Sequence, residues 1–146
     1  QVLFRTVPLT PSLLLCISLT FLSCLCFSPT DGINITAEPG QNVNLTCRAA
    51  KNGEVKVLKL IRVGLDPVYV LLYRNNRIDE TVKNPQFQDR ISLQYLSTAD
   101  GEVNVTLSNV TENDSGTYLC KVMDKMYLQT INHLHVAREG ECFCSG

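Results

Sequence analysis

Seven cysteines and two histidines are the residues of this 146-residue chain with the strongest intrinsic chemistry. His133-Leu134-His135 puts two imidazoles on one face of an extended segment, and Cys142-Phe143-Cys144 follows, a set that could hold zinc if it converged. Two exposed strand histidines and a disulfide-forming cysteine pair are the simpler reading, so no metal is expected. No Ser or Cys nucleophile can be placed beside a base from the sequence, and a nucleophile without a base does little chemistry. Catalysis, a cofactor and a small-molecule substrate are therefore not expected. A formal net charge of -1 and a pI of about 6.1 provide no basic footprint for phosphates, which argues against nucleic acid as a partner.

The redox state of the cysteines depends on the compartment, and the N-terminal segment bears on that. Arg5 precedes an apolar run from Leu13 through Phe27 that ends at Ser28-Pro29-Thr30-Asp31-Gly32. The run is short for a membrane span, and Cys26 and Ser28 supply small residues at the minus-three and minus-one positions of a cleavage site. Residues 1–28 are thus predicted to be a secretory signal peptide, with an uncleaved signal anchor as the alternative. Gln1 in place of an initiator Met reads as a fragment. Cleavage removes Cys16, Cys24 and Cys26 and leaves Cys47, Cys120, Cys142 and Cys144 in an oxidising environment, where an even number suggests disulfides. No apolar run after residue 32 is long enough to span a bilayer, and a membrane anchor beyond Gly146 stays open.

The rest of the chain suits one domain with a modest core. Between Ile33 and Val136, short apolar–polar alternations are punctuated by turn residues, the period-2 pattern of an antiparallel sandwich. The run 43–47 puts Val43, Leu45 and Cys47 on one face after the turn Glu38-Pro39-Gly40-Gln41. Further runs cover 55–62 and 68–73, separated by Gly64-Leu65-Asp66-Pro67. Runs 90–93 and 103–107 flank a hairpin-type turn at Asp100-Gly101, and 117–122 and 130–136 are joined by the loop around Asp124-Lys125-Met126-Tyr127. Residues 138–146 lack strand periodicity and read as a stalk or truncated junction.

Asp114-Ser115-Gly116-Thr117-Tyr118-Leu119-Cys120 resembles the D-x-G-x-Y-x-C signature of V-type immunoglobulin domains, with Cys47 lying 73 positions earlier. The resemblance implies an all-β fold over residues 33–137, an immunoglobulin-like V-type Greek-key β-sandwich of two antiparallel sheets. It makes the successive runs strands B, C, C′, D, E, F and G. It also implies a Cys47–Cys120 bridge, which would stabilise the fold by about 4 kcal/mol on the chain-entropy model. Gly116 then permits a tight start to strand F, Tyr118 ties its hydroxyl back to the corner, and Arg90 pairs with Asp114. One departure is the absence of Trp. The strand C position that usually packs Trp on the disulfide falls on Leu60, and the smaller side chain would leave a cavity costing about 3 kcal/mol unless Leu58 or Leu107 leans inward.

Met126-Tyr127-Leu128-Gln129-Thr130-Ile131 carries no Phe-Gly-x-Gly, so an antigen-receptor variable domain is a poor fit. The runs from Tyr69 to Arg77 and from Asn84 to Arg90 are instead similar to the butyrophilin and myelin-oligodendrocyte-glycoprotein group, near which costimulatory and coinhibitory ligands of T cells stand. This similarity implies an immune-regulatory or adhesive surface protein.

Five sequons begin at Asn34, Asn44, Asn104, Asn109 and Asn113 and are candidate glycosylation sites, although Asn109 and Asn113 are too close to be modified equally. By parity Asn44 and Asn104 point out of the sheet expected to hold strands A, B, E and D, where sugars would block that face. No sequon falls on C, C′, F or G. Their outward residues by parity include Val57, Lys59, Ile61, Leu119, Lys121, Met123 and Ile131, and this apolar content suggests a contact patch. Met123 and the 124–129 loop would form an adaptable rim. The expected partner is a cell-surface receptor or ligand protein on lymphocytes. The alternative is a cell-adhesion domain that binds a second copy of itself or another adhesion protein.

Because Cys142 and Cys144 lie beyond the last strand run, replacing both with Ser should shift the melting temperature by less than about 2 °C. A loss of several degrees in differential scanning calorimetry would place them inside the fold.

Overall fold

The computed structural model describes residues 32–65, 69–82, 84–93 and 96–138. The segment read as a leader, Cys142, Cys144 and residues 139–146 of the stalk lie outside the described residues.

Among the described residues nine strands form: β1 (Ile33–Ala37), β2 (Val43–Arg48), β3 (Val57–Arg62), β4 (Tyr69–Arg74), β5 (Arg77–Ile78), β6 (Ile91–Leu93), β7 (Glu102–Leu107), β8 (Gly116–Met123) and β9 (Tyr127–Val136). They build a six-stranded sheet in the order β1-β9-β8-β3-β4-β5 and a three-stranded sheet in the order β2-β7-β6. No helix among the described residues is long and apolar enough to cross a membrane.

Alternation decides which side chains enter the space between the sheets. On β2, Val43, Leu45 and Cys47 are buried while Asn44 and Arg48 are exposed, and on β7, Val103, Val105 and Leu107 are buried beside exposed Asn104. Cys47 of the small sheet and Cys120 of the large one are joined by a disulfide, with their Cα atoms 5.4 Å apart, and both are fully buried. Leu60 stands beside Cys120 in the β3–β8 register, and Leu58, Leu60 and Leu107 are all fully buried. All three belong to the hydrophobic core that also holds the disulfide.

Two features depart from the sequence reading. A short fifth strand, β5, extends the large sheet beyond β4. More consequentially, the first strand does not join the sheet of β2, β7 and β6. It pairs in parallel with β9, from Ile33 opposite Asn132 to Ala37 opposite Val136. The free edge of β2 is satisfied by side chains of β9 instead. The Asn132 carboxamide accepts from Thr46 N at 3.1 Å and donates to Thr46 O at 2.9 Å, while Thr130 Oγ1 accepts from Arg48 N at 2.8 Å. Asn132 is fully buried, so these bonds replace a strand partner for backbone groups that would otherwise be desolvated without compensation.

Asn132→Leu removes both partners of the Thr46 peptide groups without emptying the site. Leaving that donor and acceptor unpaired should lower the unfolding free energy by about 2–3 kcal/mol. Urea titration followed by circular dichroism reads the change, and an unaltered midpoint would show that water serves this edge equally well.

Candidate binding face

Strand β8 is anchored at its start by a cluster of side-chain contacts, and its outward residues are the centre of the candidate face. Below it, the Tyr118 hydroxyl donates to the carbonyl of Asp114 at 2.5 Å, and the ring meets Phe87 edge-on with centroids 6.2 Å apart. Phe87 reaches the core from the short 3-10 turn Pro85–Phe87, whose preceding Asn84 side chain accepts from Gln86 N. Arg90 grips the Asp114 carboxylate with two nearly parallel bonds of 2.8 and 2.9 Å, and Thr111 N donates to the same group at 2.8 Å. The Arg62 guanidinium lies 5.8 Å from the Tyr118 ring centroid. A Cβ on Gly116 would stand 3.1 Å from Arg62 Nε, so glycine here leaves room for that cation.

Burial alone would raise the Asp114 pKa, but the Arg90 and Thr111 hydrogen bonds outweigh it and hold the carboxyl below its usual range. Burial pushes the Tyr118 phenol up to about 12, so the corner stays a neutral hydroxyl on an ionised carboxylate segment.

On the outer side of the large sheet, strand register arranges the outward side chains in rows. Ile131 of β9 lies opposite Leu119 of β8, Leu119 opposite Ile61 of β3, and Ile61 opposite Tyr69 of β4. The next row runs Gln129, Lys121, Lys59, Leu72, and the third Tyr127, Met123, Val57, Arg74. A bulge between Leu60 and Ile61 brings Tyr69 and Leu72, which differ in parity, onto the same face. Met123 and Tyr127 are exposed, whereas Val57, Ile61, Leu119 and Ile131 are half-buried. Arg74 is engaged by Asp79, with contacts of 2.6 and 2.8 Å. The Asp79 carboxyl is lowered to about 2, first by the Thr81 hydroxyl and amide and then by Arg74. Lys59 and Lys121 face each other across β3 and β8, and neither has an ion-pair partner among the described residues.

A family model for the immunoglobulin V-set domain matches residues 31–137. The chain belongs to the immunoglobulin V-set family. It is related to butyrophilin: human butyrophilin subfamily 1 member A1 is 31% identical over 137 residues, covering 89% of this chain and 26% of that protein. The bovine protein of the same name is 31% identical over 109 residues, covering 73% and 20%. This chain therefore spans about a quarter or less of the length of these relatives. A crystal structure of bovine butyrophilin superposes with a TM-score of 0.62 at 30% identity, over 75% of this chain and 52% of that one. The human B7-H4 IgV-like domain reaches the same TM-score at 17% identity, over 73% and 95%, a likeness of fold alone.

Within this V-set domain the five sequon asparagines are exposed. Asn44 and Asn104 project from β2 and β7, each accepting from the threonine of the other's sequon, Thr106 at 2.8 Å and Thr46 at 3.4 Å. Asn109 adopts a left-handed backbone, and Asn113 sits in the 3-10 turn Glu112–Asp114. Asn34 lies on the large sheet, not on the small one that carries Asn44 and Asn104. Carried by β1, it stands opposite His133 at the edge of the large sheet, so a sugar there would border the candidate face. His133 is engaged by Thr117 at 3.1 Å, and no group of three His, Cys, Asp or Glu able to hold a metal occurs among the described residues.

Asp114→Asn should lower stability at neutral pH by about 3 kcal/mol, since it leaves Arg90 without its charge partner. Because the native carboxyl titrates below its unfolded value of about 3.9, its contribution is present above that value and lost as pH falls through the native pKa. The stability difference between the two proteins should hold constant above about pH 5 and shrink below about pH 4. Parallel denaturant titrations across that range check it, and a gap independent of pH would assign the effect to shape rather than charge.

Proposed function

We propose that this domain is an extracellular protein-binding module, engaging a cell-surface receptor or ligand in immune regulation through the outer face of β9, β8, β3 and β4. The observation that carries this reading is the unbroken row Ile131, Leu119, Ile61 and Tyr69 across four strands on a side of the sheet that faces solvent. A solvated sheet face normally alternates to polar residues, and a contiguous apolar row set among polar neighbours is characteristic of a protein contact. The relation to butyrophilin supports an immune-type surface role, and the apolar run from Leu13 to Phe27, read as a signal peptide, together with the sequons supports export.

Binding is favoured over catalysis by shape. The face is the broad surface of a sheet, and enzymes concentrate their polar groups in concave sites that exclude water. Sugars on Asn44 and Asn104 would cover the opposite sheet, which leaves the β9-β8-β3-β4 face as the accessible one, bordered at its β1 edge by Asn34.

Replacing Ile61 or Met123 with Asp places an unpaired charge in the contact and should weaken partner binding more than tenfold while the isolated fold stays intact. Asn44→Gln and Asn104→Gln should alter expression or solubility and leave affinity unchanged. Surface plasmon resonance against the cell-surface partner, with circular dichroism on each variant, makes the comparison. Normal binding by both aspartate variants with altered binding by the sequon variants would assign the contact to the other sheet.

A further inference from the structure

Resting on that face assignment, we infer that the partner is a different protein, whose docking surface presents carboxylates flanked by apolar side chains and is received by the Lys59–Lys121 pair. The two ammonium groups sit on directly opposed residues of neighbouring strands, an arrangement that destabilises a sheet. Among the described residues no ion pair relieves it. The outward positions of β9, β8, β3 and β4 include no Asp or Glu; of the carboxylates flanking the face, Asp79 is held by Arg74 and Thr81, and Asp124, beyond Met123, accepts from Glu54 N. The chain as a whole carries a net charge of -1, so this concentration of positive charge is local to the face.

The lysines lie between two largely apolar rows, Ile131 to Tyr69 on one side and Tyr127, Met123 and Val57 on the other. Any protein covering those rows must desolvate the lysines too, and a desolvated cation without a counter-charge is heavily penalised. A second copy fails this requirement. A two-fold pairing centred on the lysine row would bring the lysine pairs of both copies together, and one centred elsewhere on the face still offers them no outward Asp or Glu. A partner carrying Asp or Glu at the centre of an apolar patch meets it, and opposite charge would also speed its association.

Fluorescent multimers of the chain, titrated on lymphocytes, test this. Lys59→Glu and Lys121→Glu should each reduce apparent affinity more than tenfold, and Lys121→Arg should retain it. Free Lys121→Glu should melt at the wild-type temperature or up to about 2 °C above it, because the repulsion is relieved. Binding by the wild type should weaken as salt is raised from about 0.05 to 0.5 M. If both glutamate variants bind normally while Ile61→Asp does not, the inference is overturned and the face assignment stands. If Ile61→Asp also binds normally, the face assignment itself fails. Staining abolished by sialidase would transfer the carboxylate from protein to glycan and overturn the inference. So would sedimentation equilibrium showing a wild-type dimer that Ile61→Asp dissociates.

Discussion

The Cys47–Cys120 bond joins a central strand of the large sheet to the edge strand of the small one, and so ties the two layers of the sandwich together. A covalent tie across 73 positions removes much of the freedom of the unfolded chain, on the order of 4 kcal/mol by the entropic account. Its structural effect is as important as its energy. With Cys120 held inward, Tyr118 and Val122 must also point inward, and Leu119, Lys121 and Met123 are committed to the opposite side. The Asp114 carboxylate, gripped by Arg90, holds the chain just ahead of β8, and the Tyr118 hydroxyl bonds the Asp114 carbonyl. The outward residues of β8 are thereby presented from a rigid strand, which suits a surface that must be complementary before its partner arrives.

The sandwich treats its two edges on the β9 side differently. The edge of β9 is covered by a real strand, β1, whereas the edge of β2 is covered by two side chains, Thr130 and Asn132. Both arrangements satisfy backbone groups that an open edge would offer to other chains. The choice has a functional consequence, because moving β1 to the large sheet carries Asn34 with it. One of the sequons then borders the candidate face, and a sugar at that position would set a boundary for any partner.

The outer face of the large sheet is arranged against the interest of the free domain. Apolar rows stand where polar residues would be better solvated, and two lysines oppose each other at the centre. Residues that violate local preferences without compensation inside the fold are characteristic of functional surfaces. The same sheet is orthodox on its inner side, where Leu58, Leu60, Tyr118, Cys120 and Val122 pack without an exposed atom of consequence.

The sequence by itself determined what is local: alternation within each strand, the Asp114 to Cys120 signature of the V-set fold, and the outward parity of Ile61, Leu119 and Ile131. Side-chain direction in a strand repeats every two residues, so a run of five or six positions is enough to read it. Asn132 was legible only as a polar residue at an inward position of β9, since its task is defined by Thr46 on a strand 86 residues away. Tyr69 and Leu72 escaped parity altogether, because the bulge opposite Leu60 and Ile61 shifts the register within β4. Which sheet β1 joins, and that Lys59 stands against Lys121, were decided by the tertiary structure alone. Register between strands distant in sequence is set by how all the inward side chains pack together, and no short window of sequence contains that information.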